Sequence, residues 1–534
     1  MDARSFRRRS IVSFVGIFFG QSIGFLSYLL IGLFRNNALP VGWVGVAVIW
    51  YSVGVVVFLG ARIAIPYVDP VILPIVFALT GLGLAMIHRI DLAFPDDRAD
   101  MPSQFIAVVV GVVALLVIIF FLKDPRRLKG FPYLLALLGC FLLLLPLVPG
   151  LGREINGARI WIGLGPFSFQ PAEVAKLVLA ASFAAYLADN KEVLAGAGRK
   201  VLGVELPRLR DLGPVALVWG VSVLVMVTQT DFGTALLFFG LFLAMVYVAT
   251  GKGSWVIVGL GLFLAAGTVA VQFTSHIQRR IDYWLRPFDF PPGSDPYHDA
   301  TQIIQAQFGM SSGGLIGTGW GLGRPTLVPF ASSDMIATSL AEEIGIVGLM
   351  AIIILYGLLA FRGLKAALMA TEPFLKLFGA GLSFVFLLQS FIVIGGATRL
   401  LPLTGLITPF LSQGGSAMMV NWMLVALILV ISHQTRRPVI ELDPTSTAGV
   451  TGLEDEATQE ISVKVLAQIG SGVIQPVQQI NGEQIRLGTD GAPLVKPSEV
   501  YQISYRSPEP VSEAAALGVA RHHDEDTYFG RGTD

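Results

Sequence analysis

The chain has 534 residues, of which 54% are hydrophobic and only 14% are charged, and its mean hydropathy is +0.70. Soluble domains average about 45–50% apolar and about 25% charged residues, so this composition excludes a soluble globular protein. The 37 basic and 37 acidic residues leave no net charge that would indicate a partner, and the single cysteine, Cys140, excludes an internal disulfide framework or a thiolate metal cluster.

Most of the apolar residues lie in twelve segments, each close to the ~20 residues that a helix needs to cross a bilayer. This pattern predicts an all-α polytopic membrane protein. With the N-terminus inside, Lys and Arg concentrate on one side, in the loops 123–129 and 190–212 and around Arg362 and Arg436. Because short cytoplasmic loops carry an excess of Lys and Arg, both termini are predicted to be cytoplasmic. The predicted helices are 11–34, 42–61, 71–88, 105–123, 131–148, 172–188, 213–230, 233–249, 254–274, 334–361, 377–397 and 415–433.

The first two helices, within residues 1–70, look like an addition to the rest of the bundle. Gly16, Gly20 and Gly24 recur at four-residue spacing along the first of them. Small residues at this spacing let a second helix approach closely. The stripe serves either packing inside this bundle, which is the more common use, or the binding of another membrane protein.

A polar tail begins at about residue 435 and runs to residue 534. Its short alternating runs, 461–465 and 500–504, have the pattern of strands. Gly482-Glu483 and Asp490-Gly491 suit the turns between such strands. The tail is predicted to be cytoplasmic, and to be either a small β unit or partly disordered.

Two outer segments, 149–171 and about 275–333, are too long to be simple turns. Long connections in compact proteins are usually functional or disordered, and the tryptophans and glycines here argue against disorder. The glycine run 313–323 lacks the Gly-Lys-Ser/Thr ending and the βαβ setting of a nucleotide-binding loop. Its glycines instead allow backbone amides to approach an anion, or allow a tight surface turn.

Carboxylates stand at the start of the helix that follows the second outer segment. Asp334 precedes an apolar run and follows Ser332 and Ser333, so it is either an N-cap or a general base at the membrane surface. Glu342 and Glu343 lie about two turns deeper, where a charge needs a partner or a polar cavity. They serve either a structural ion pair or a role near substrate.

Two further polar clusters lie at outer helix ends. Glu173 and Lys176 are three residues apart, so they share a helix face just inside the outer surface. They either neutralise one another or leave the lysine to meet an anionic headgroup. Asp231 follows Gln229-Thr230 between two apolar helices, where it caps the second helix or lines a cleft.

Taken in order, these motifs resemble those of the SEDS family (shape, elongation, division and sporulation), the RodA and FtsW proteins. The resemblance covers about residues 71–434, leaving 1–70 and 435–534 outside the shared core. The motifs are Trp161-Ile162-Gly163, Gln170-Pro171-Ala172-Glu173-Val174-Ala175-Lys176, Gln229-Thr230-Asp231-Phe232-Gly233-Thr234, Arg280 before Trp284, Gln305, Ser312-Gly313-Gly314, Gly317-Thr318-Gly319, Asp334-Met335-Ile336, Ala341-Glu342-Glu343-Ile344-Gly345 and Pro409-Phe410-Leu411-Ser412-Gln413-Gly414-Gly415-Ser416.

The resemblance implies a ten-helix catalytic core and a peptidoglycan glycosyltransferase that polymerises lipid II at the outer face of the cytoplasmic membrane. It implies that Asp334 is the catalytic aspartate and that a class B penicillin-binding protein cross-links the nascent glycan strand. No nucleic-acid partner and no nucleotide cofactor are expected. The substrate-binding residues that we expect from the motifs are Arg280, Lys176, Glu173, Gln170, Gln305, Ser312, Asp231 and Ser416.

The reaction that the resemblance implies needs a base and a source of positive charge. The acceptor hydroxyl loses a proton as it attacks the donor's anomeric carbon, and a carboxylate can accept that proton. The leaving diphosphate needs a cation nearby, which Arg280, Lys176 or a divalent ion such as Mg²⁺ or Mn²⁺ could supply.

The chain also departs from the family pattern. Ser332-Ser333 stand in place of the usual His-Thr, Thr230 in place of proline, and Gln413 in place of tyrosine. The two leading helices, the tail and the run 87–91 are more similar to an actinobacterial RodA type than to an FtsW type. Two other functions stay open from the sequence, namely a flippase for the lipid-linked precursor and a non-catalytic scaffold for a transpeptidase.

Overall fold

A computed structural model describes residues 3–93, 100–155, 158–165, 167–191, 199–201, 204–206, 209–273, 275–289 and 299–437, together with the short strands at 479–480, 483–484, 486–487 and 493–494. The chain divides into two units, residues 1–437 and 438–534, and each is described by itself.

The first unit is a bundle of α-helices. Helices occupy all twelve of the predicted apolar segments, and within the described ranges nine of them are long and apolar enough to cross a membrane. The apolar parts of the helices at Pro132–Leu144, Leu209–Thr228 and Gly253–Phe273 are shorter, so a count of twelve membrane-spanning helices stays a prediction. The helices are α1 (Ala3–Asn36), α2 (Trp43–Ala64), α3 (Ile72–Asp91), α4 (Asp100–Phe121), α5 (Pro132–Leu144), α6 (Pro171–Asp189), α7 (Leu209–Thr228), α8 (Phe232–Thr250), α9 (Gly253–Phe273), α10 (Ser275–Leu285), α11 (Asp299–Gly313), α12 (Ile336–Leu368), α13 (Pro373–Ala397) and α14 (Gly415–Arg436).

Several helices begin where the sequence encodes a start. Pro171 and Pro373 occupy first-turn positions of α6 and α13, where the missing N–H of proline costs nothing. The Glu372 carboxylate accepts the Leu375 N–H at 2.9 Å, and the Asp231 carboxylate accepts the Thr234 N–H at 3.0 Å. Both acids satisfy backbone donors that a helix start would otherwise leave unpaired.

Four helices form the interior of the bundle. In their most apolar windows α3, α6, α13 and α14 are 89%, 83%, 78% and 83% buried, whereas α1, α2, α4 and α12 range from 28% to 39%. The exposed faces of these outer helices are apolar, with side chains such as Phe18, Val48 and Val113, which suits contact with lipid. Polar motif residues on the interior helices are therefore shielded from the hydrocarbon.

The glycine stripe of α1 packs inside the molecule. A Cβ atom on Gly20 would lie 2.3 Å from the Pro74 carbonyl oxygen, and one on Gly24 would lie 2.3 Å from the Cα of Gly81, both on α3. The two backbones are thus in direct contact along this stripe, as small-residue spacing permits. Of the two uses that the sequence left open, internal packing is the one observed. A Cβ atom on Gly16 would lie 2.7 Å from the side chain of Pro74.

Ion pairs tie helices together at the end of the bundle where α3 begins. The buried Asp69 carboxylate pairs with Arg362 of α12 at 3.5 Å and also with Arg436 at the end of α14. Lys129 lies 3.3 Å from Asp189 at the end of α6. This end also holds the cation-rich loop 123–129. Because Arg362 and Arg436 lie toward the C-terminal ends of α12 and α14, the opposite end holds the start of α12 and the segment that leads into α14.

The strands are short and lie in the connections. The outer segment before α6 forms an antiparallel sheet in the order β1 (Gly152–Ile155), β2 (Ala158–Leu164), β3 (Phe167–Phe169). After α6, β4 (Arg199–Val201) pairs with β5 (Val204–Leu206). In the second unit β6 (Gln479–Ile480) pairs with β7 (Glu483–Gln484), and β8 (Arg486–Leu487) pairs with β9 (Pro493–Leu494). The second pair brackets the predicted turn at Asp490-Gly491, whereas Glu483 of the predicted turn Gly482-Glu483 lies in β7 itself. The runs 461–465 and 500–504 lie outside the described residues.

Candidate active site

Asp334 lies in the turn that leads into α12, at the end of the bundle opposite Asp69. Its side chain is half-buried, and the helix begins two residues later, with Met335 in the N-cap position. The N-cap role that local sequence suggested for Asp334 is therefore not the one observed. Phe330, four residues earlier, has a φ of 56°, which is uncommon for a bulky residue. Asp334 thus follows a tight and locally strained turn.

The segment 409–416 holds the two residues that precede Asp334. The Gln413 N–H donates to the Ser332 carbonyl oxygen at 2.8 Å, and the Ser332 hydroxyl donates to the Gln413 amide oxygen at 2.9 Å. The Ser412 hydroxyl donates to the Ser333 carbonyl oxygen at 2.7 Å. Ser332 and Gln413, two of the departures from the family pattern, are therefore in direct contact with each other.

The motif at the start of α6 reaches the same segment. The Gln170 N–H donates to the Ser416 hydroxyl at 3.0 Å, so two predicted binding residues meet across the start of α14. Lys176 is 1% exposed and donates to the Glu173 carboxylate at 2.6 Å and to the Gln389 amide oxygen at 3.0 Å. Of the two roles that the sequence left open for Glu173 and Lys176, the structure has the mutually neutralised pair.

Asp231 and Arg280 lie beside the loop that precedes this segment. Arg280 of α10 donates to the Leu403 carbonyl oxygen at 3.3 Å. Asp231 caps α8 and is 8% exposed. Burial raises the pKa of Asp231 above its ordinary value, and this effect outweighs the opposing ones of the Thr234 hydrogen bond and the nearby Arg280 charge.

A proline-to-threonine departure coincides with unusual backbone geometry next to Asp231. Thr230 has a φ of 61°, which a β-branched residue seldom adopts and which a proline ring, fixed near −65°, does not allow. The chain therefore turns here in a way that the usual Gln-Pro-Asp motif would not.

The glycine run folds against a break in α12. Gly345 has φ 75° and ψ 174°, and on either side of it the helical hydrogen bonds are replaced by bonds to the glycine run. The Thr318 and Gly319 N–H groups donate to the carbonyl oxygens of Glu342 and Glu343 at 2.9 and 3.0 Å. Non-helical backbone at membrane depth is tolerated where protein groups satisfy it in this way.

The glycine run and the next residue, Arg324, bind the carboxylates of Glu343 and Glu342. Glu343 accepts the Gly321 N–H at 2.8 Å and pairs with Arg89 of α3 at 2.9 Å. Glu342 accepts the Arg324 N–H at 2.7 Å. One backbone amide of this run, that of Gly321, does approach an anion, but the anion is the chain's own Glu343. For Glu343 the structure has the ion pair that the sequence left open.

Gln305 and Ser312 lie on α11, which packs against the broken part of α12. A Cβ atom at Gly313 would lie 2.5 Å from the Ala341 carbonyl oxygen, so the two helices are in close contact there. Ser312 is exposed and its hydroxyl donates to the Gly309 carbonyl oxygen, while Gln305 is half-buried. None of the contacts described above links these two residues to Asp334.

Sequence reasoning missed three residues that organise the site: Gln104, Gln389 and Arg89. Each is a polar side chain on an apolar helix, where a buried polar group needs a partner, and that position was the available signal. No group of three or more His, Cys, Asp or Glu that could hold a metal ion occurs in the described part of the chain. A divalent cation stays a prediction.

Comparisons with known proteins agree with these motifs. The model of a family of cell cycle proteins, FtsW/RodA/SpoVE, matches residues 70–437. The chain is 43% identical over 401 residues to peptidoglycan glycosyltransferase RodA of Mycobacterium tuberculosis, covering 74% of this chain and 84% of that one. It is 30% identical over 378 residues to stage V sporulation protein E of Bacillus subtilis, covering 69% and 98%. A chain from a solved peptidoglycan synthase complex, described as coordinating polymerization and crosslinking, has a TM-score of 0.56 and 28% identity and is matched over 99% of its length and 70% of this chain.

Proposed function

The chain belongs to the FtsW, RodA and SpoVE family of cell cycle proteins and is a peptidoglycan glycosyltransferase, and we propose that it polymerises lipid II with Asp334 as the general base. The observation that carries this proposal is the position of Asp334. It is a half-buried carboxylate at one end of the bundle, beside a turn that Ser412 and Gln413 hold by hydrogen bonds. The 43% identity to mycobacterial RodA supports a role in cell elongation rather than division.

In the proposed reaction Asp334 accepts the proton of the acceptor sugar's hydroxyl. That oxygen attacks the donor's anomeric carbon, and the bond from this carbon to the diphosphate oxygen breaks. The diphosphate leaves with the bonding electron pair, and the configuration at the anomeric carbon is inverted. General-base assistance of this kind contributes typically ~10²–10⁴-fold to a rate.

Arg280 is the better candidate to face the leaving diphosphate. Lys176 is 1% exposed, and its charge is already balanced by Glu173. Arg280 is half-buried at the edge of the bundle, close to the 403–405 loop. A guanidinium also offers the planar, two-point geometry that suits phosphate oxygens.

The chain is a multi-pass membrane protein, and we propose that both termini are cytoplasmic and that Asp334 faces outward. The support is the separation of charge along the bundle. Asp69 and its arginine partners Arg362 and Arg436 lie at the opposite end from Asp334, together with the cation-rich loop 123–129. Such loops are typical of the cytoplasmic side.

A transpeptidase partner is also proposed. The structurally similar chain comes from a peptidoglycan synthase complex whose description joins polymerization to crosslinking. A class B penicillin-binding protein would supply the crosslinking activity to this chain, as the sequence resemblance implied.

The test is reconstitution of the purified chain with lipid II, with and without the partner transpeptidase. Asp334→Asn should reduce glycan formation by at least about 100-fold, the lower limit of the ~10²–10⁴-fold range for a general base. The control is Asp282→Asn, an exposed carboxylate on α10, which should polymerise normally. Full polymerisation by the Asp334→Asn protein would refute the assignment, and transfer of lipid II across vesicles without any glycan would support a flippase instead.

A further inference from the structure

Gln104 of α4 is a buried glutamine that binds the segment next to Asp334. It is 2% exposed. Its amide nitrogen donates to the Ser412 carbonyl oxygen at 3.0 Å, and its amide oxygen accepts the Gly414 N–H at 2.9 Å. Both polar atoms of one side chain are therefore used, on the two residues that flank Gln413.

The residues that Gln104 fixes are the ones that contact the turn before Asp334. Ser412 and Gln413 together make three hydrogen bonds to Ser332 and Ser333, at 2.7, 2.8 and 2.9 Å. The Ser412 hydroxyl also accepts the Thr408 N–H at 2.8 Å, so it is held from its own segment as well. A continuous series of hydrogen bonds thus runs from α4 to the residue that precedes the proposed base.

We infer that Gln104 is a positioning residue, which sets the place of the Asp334 carboxylate through Ser412, Gln413 and the Ser332-Ser333 turn. The inference rests on the proposed function, because it assigns Gln104 a role in the reaction only through Asp334. A base works in a narrow range of distance and direction, and a displacement of about 1 Å can cost ~10²-fold in rate. A glutamine at this position gives the segment two directional bonds that an apolar side chain of the same size would lack.

The simplest alternative is that Gln104 only satisfies buried backbone groups. In that case its loss would lower stability, and the turnover of the protein that still folds would be normal. A positioning role instead lowers kcat while leaving KM for lipid II nearly unchanged, since the groups that bind the substrate stay in place. Measuring kcat and KM separately for the folded variant therefore distinguishes the two roles.

The experiment uses the full-length protein in nanodiscs with lipid II. Gln104→Leu should lower kcat at least tenfold and change KM less than threefold. Gln104→Glu, which keeps an acceptor for the Gly414 N–H, should recover part of that loss. The matched control is Gln21→Leu, because Gln21 is a buried glutamine that joins α1 to Trp50 of α2, away from Asp334. This control should keep the wild-type kcat even if its melting temperature falls.

Ser412→Ala supplies a second and smaller change, in case Gln104→Leu fails to fold. It removes only the hydroxyl that donates to the Ser333 carbonyl oxygen, and it should lower kcat in the same sense. Asp334→Asn is measured in parallel, alone and combined with Gln104→Leu. We expect that adding Gln104→Leu to the Asp334→Asn protein causes no further loss of its residual rate.

The outcomes separate the two ideas. Wild-type kcat in both Gln104→Leu and Ser412→Ala, with an inactive Asp334→Asn protein, would overturn the positioning role and leave the proposed function intact. An equal loss of kcat in Gln21→Leu would also overturn it, because the effect would then be general. A fully active Asp334→Asn protein would overturn the proposed function, and the positioning role with it.

Discussion

Replacing Glu343 by glutamine should destabilise the protein strongly, because Arg89 would lose its counter-charge in the interior. The Arg89 Nε and the Glu343 carboxylate are 2.9 Å apart, and their side chains are 3% and 0% exposed. Removing one partner of such a buried pair typically costs 3–5 kcal/mol. Glu342, the neighbouring carboxylate, still offers Arg89 some attraction, so we expect a value of about 3 kcal/mol at the lower end of that range.

The assay is the free energy of unfolding in mixed micelles for Glu343→Gln, Arg89→Met and the double variant. Because the two side chains contact each other, the double variant should lose clearly less than the sum of the single losses. The control pair is Lys129 and Asp189, 3.3 Å apart but 38% and 51% exposed, so Asp189→Asn should cost about 1 kcal/mol or less. The reasoning would be refuted by additive losses at Arg89 and Glu343, or by a Glu343→Gln loss no larger than that of Asp189→Asn.

Three further predictions concern outer and interior positions. Gly24→Leu should lower the free energy of unfolding by about 1–3 kcal/mol, because its Cβ would lie 2.3 Å from the Gly81 Cα. Gly45→Leu should be tolerated, because no atom lies within 4 Å of a Cβ there. Unfolding in micelles measures both variants. Thr230→Gly should stabilise the protein by about 1 kcal/mol, because glycine adopts the positive φ of residue 230 without strain. Thr230→Pro should destabilise the protein, because proline cannot adopt that φ. A lower melting temperature for the glycine variant would contradict this reasoning. Burial raises the pKa of Asp231, so the folded protein favours the neutral acid, and its stability falls as the pH rises above the ordinary pKa of 3.8. Asp231→Asn should remove that fall in stability. Melting temperatures of both proteins at pH 4 and pH 7 would reveal the difference.

The positions of the helices could be read from the sequence. Burying a long apolar segment in lipid forces its backbone to satisfy its own hydrogen bonds, so length and composition are nearly sufficient to predict a helix. The glycine stripe of α1 carried its packing signal in the same way, although only the structure identifies α3 as the helix it packs against. The helices α10 and α11 within the second outer segment were not predicted, because short polar helices lack that apolar signal.

The candidate site was predicted as a set of residues and not as an arrangement. Asp334 and the motifs around it could be chosen because polar groups are rare and costly in such a chain. The contacts between these residues could not be predicted, because the partners are far apart in the sequence. Gln104 and Ser412 are 308 positions apart, and Arg89 and Glu343 are 254 positions apart. The sequence by itself therefore determined which long apolar segments are helical and which polar side chains need partners. Only the tertiary structure decided which partners they have, because those pairs depend on the order in which the helices surround one another, and hydrophobic patterning does not encode that order.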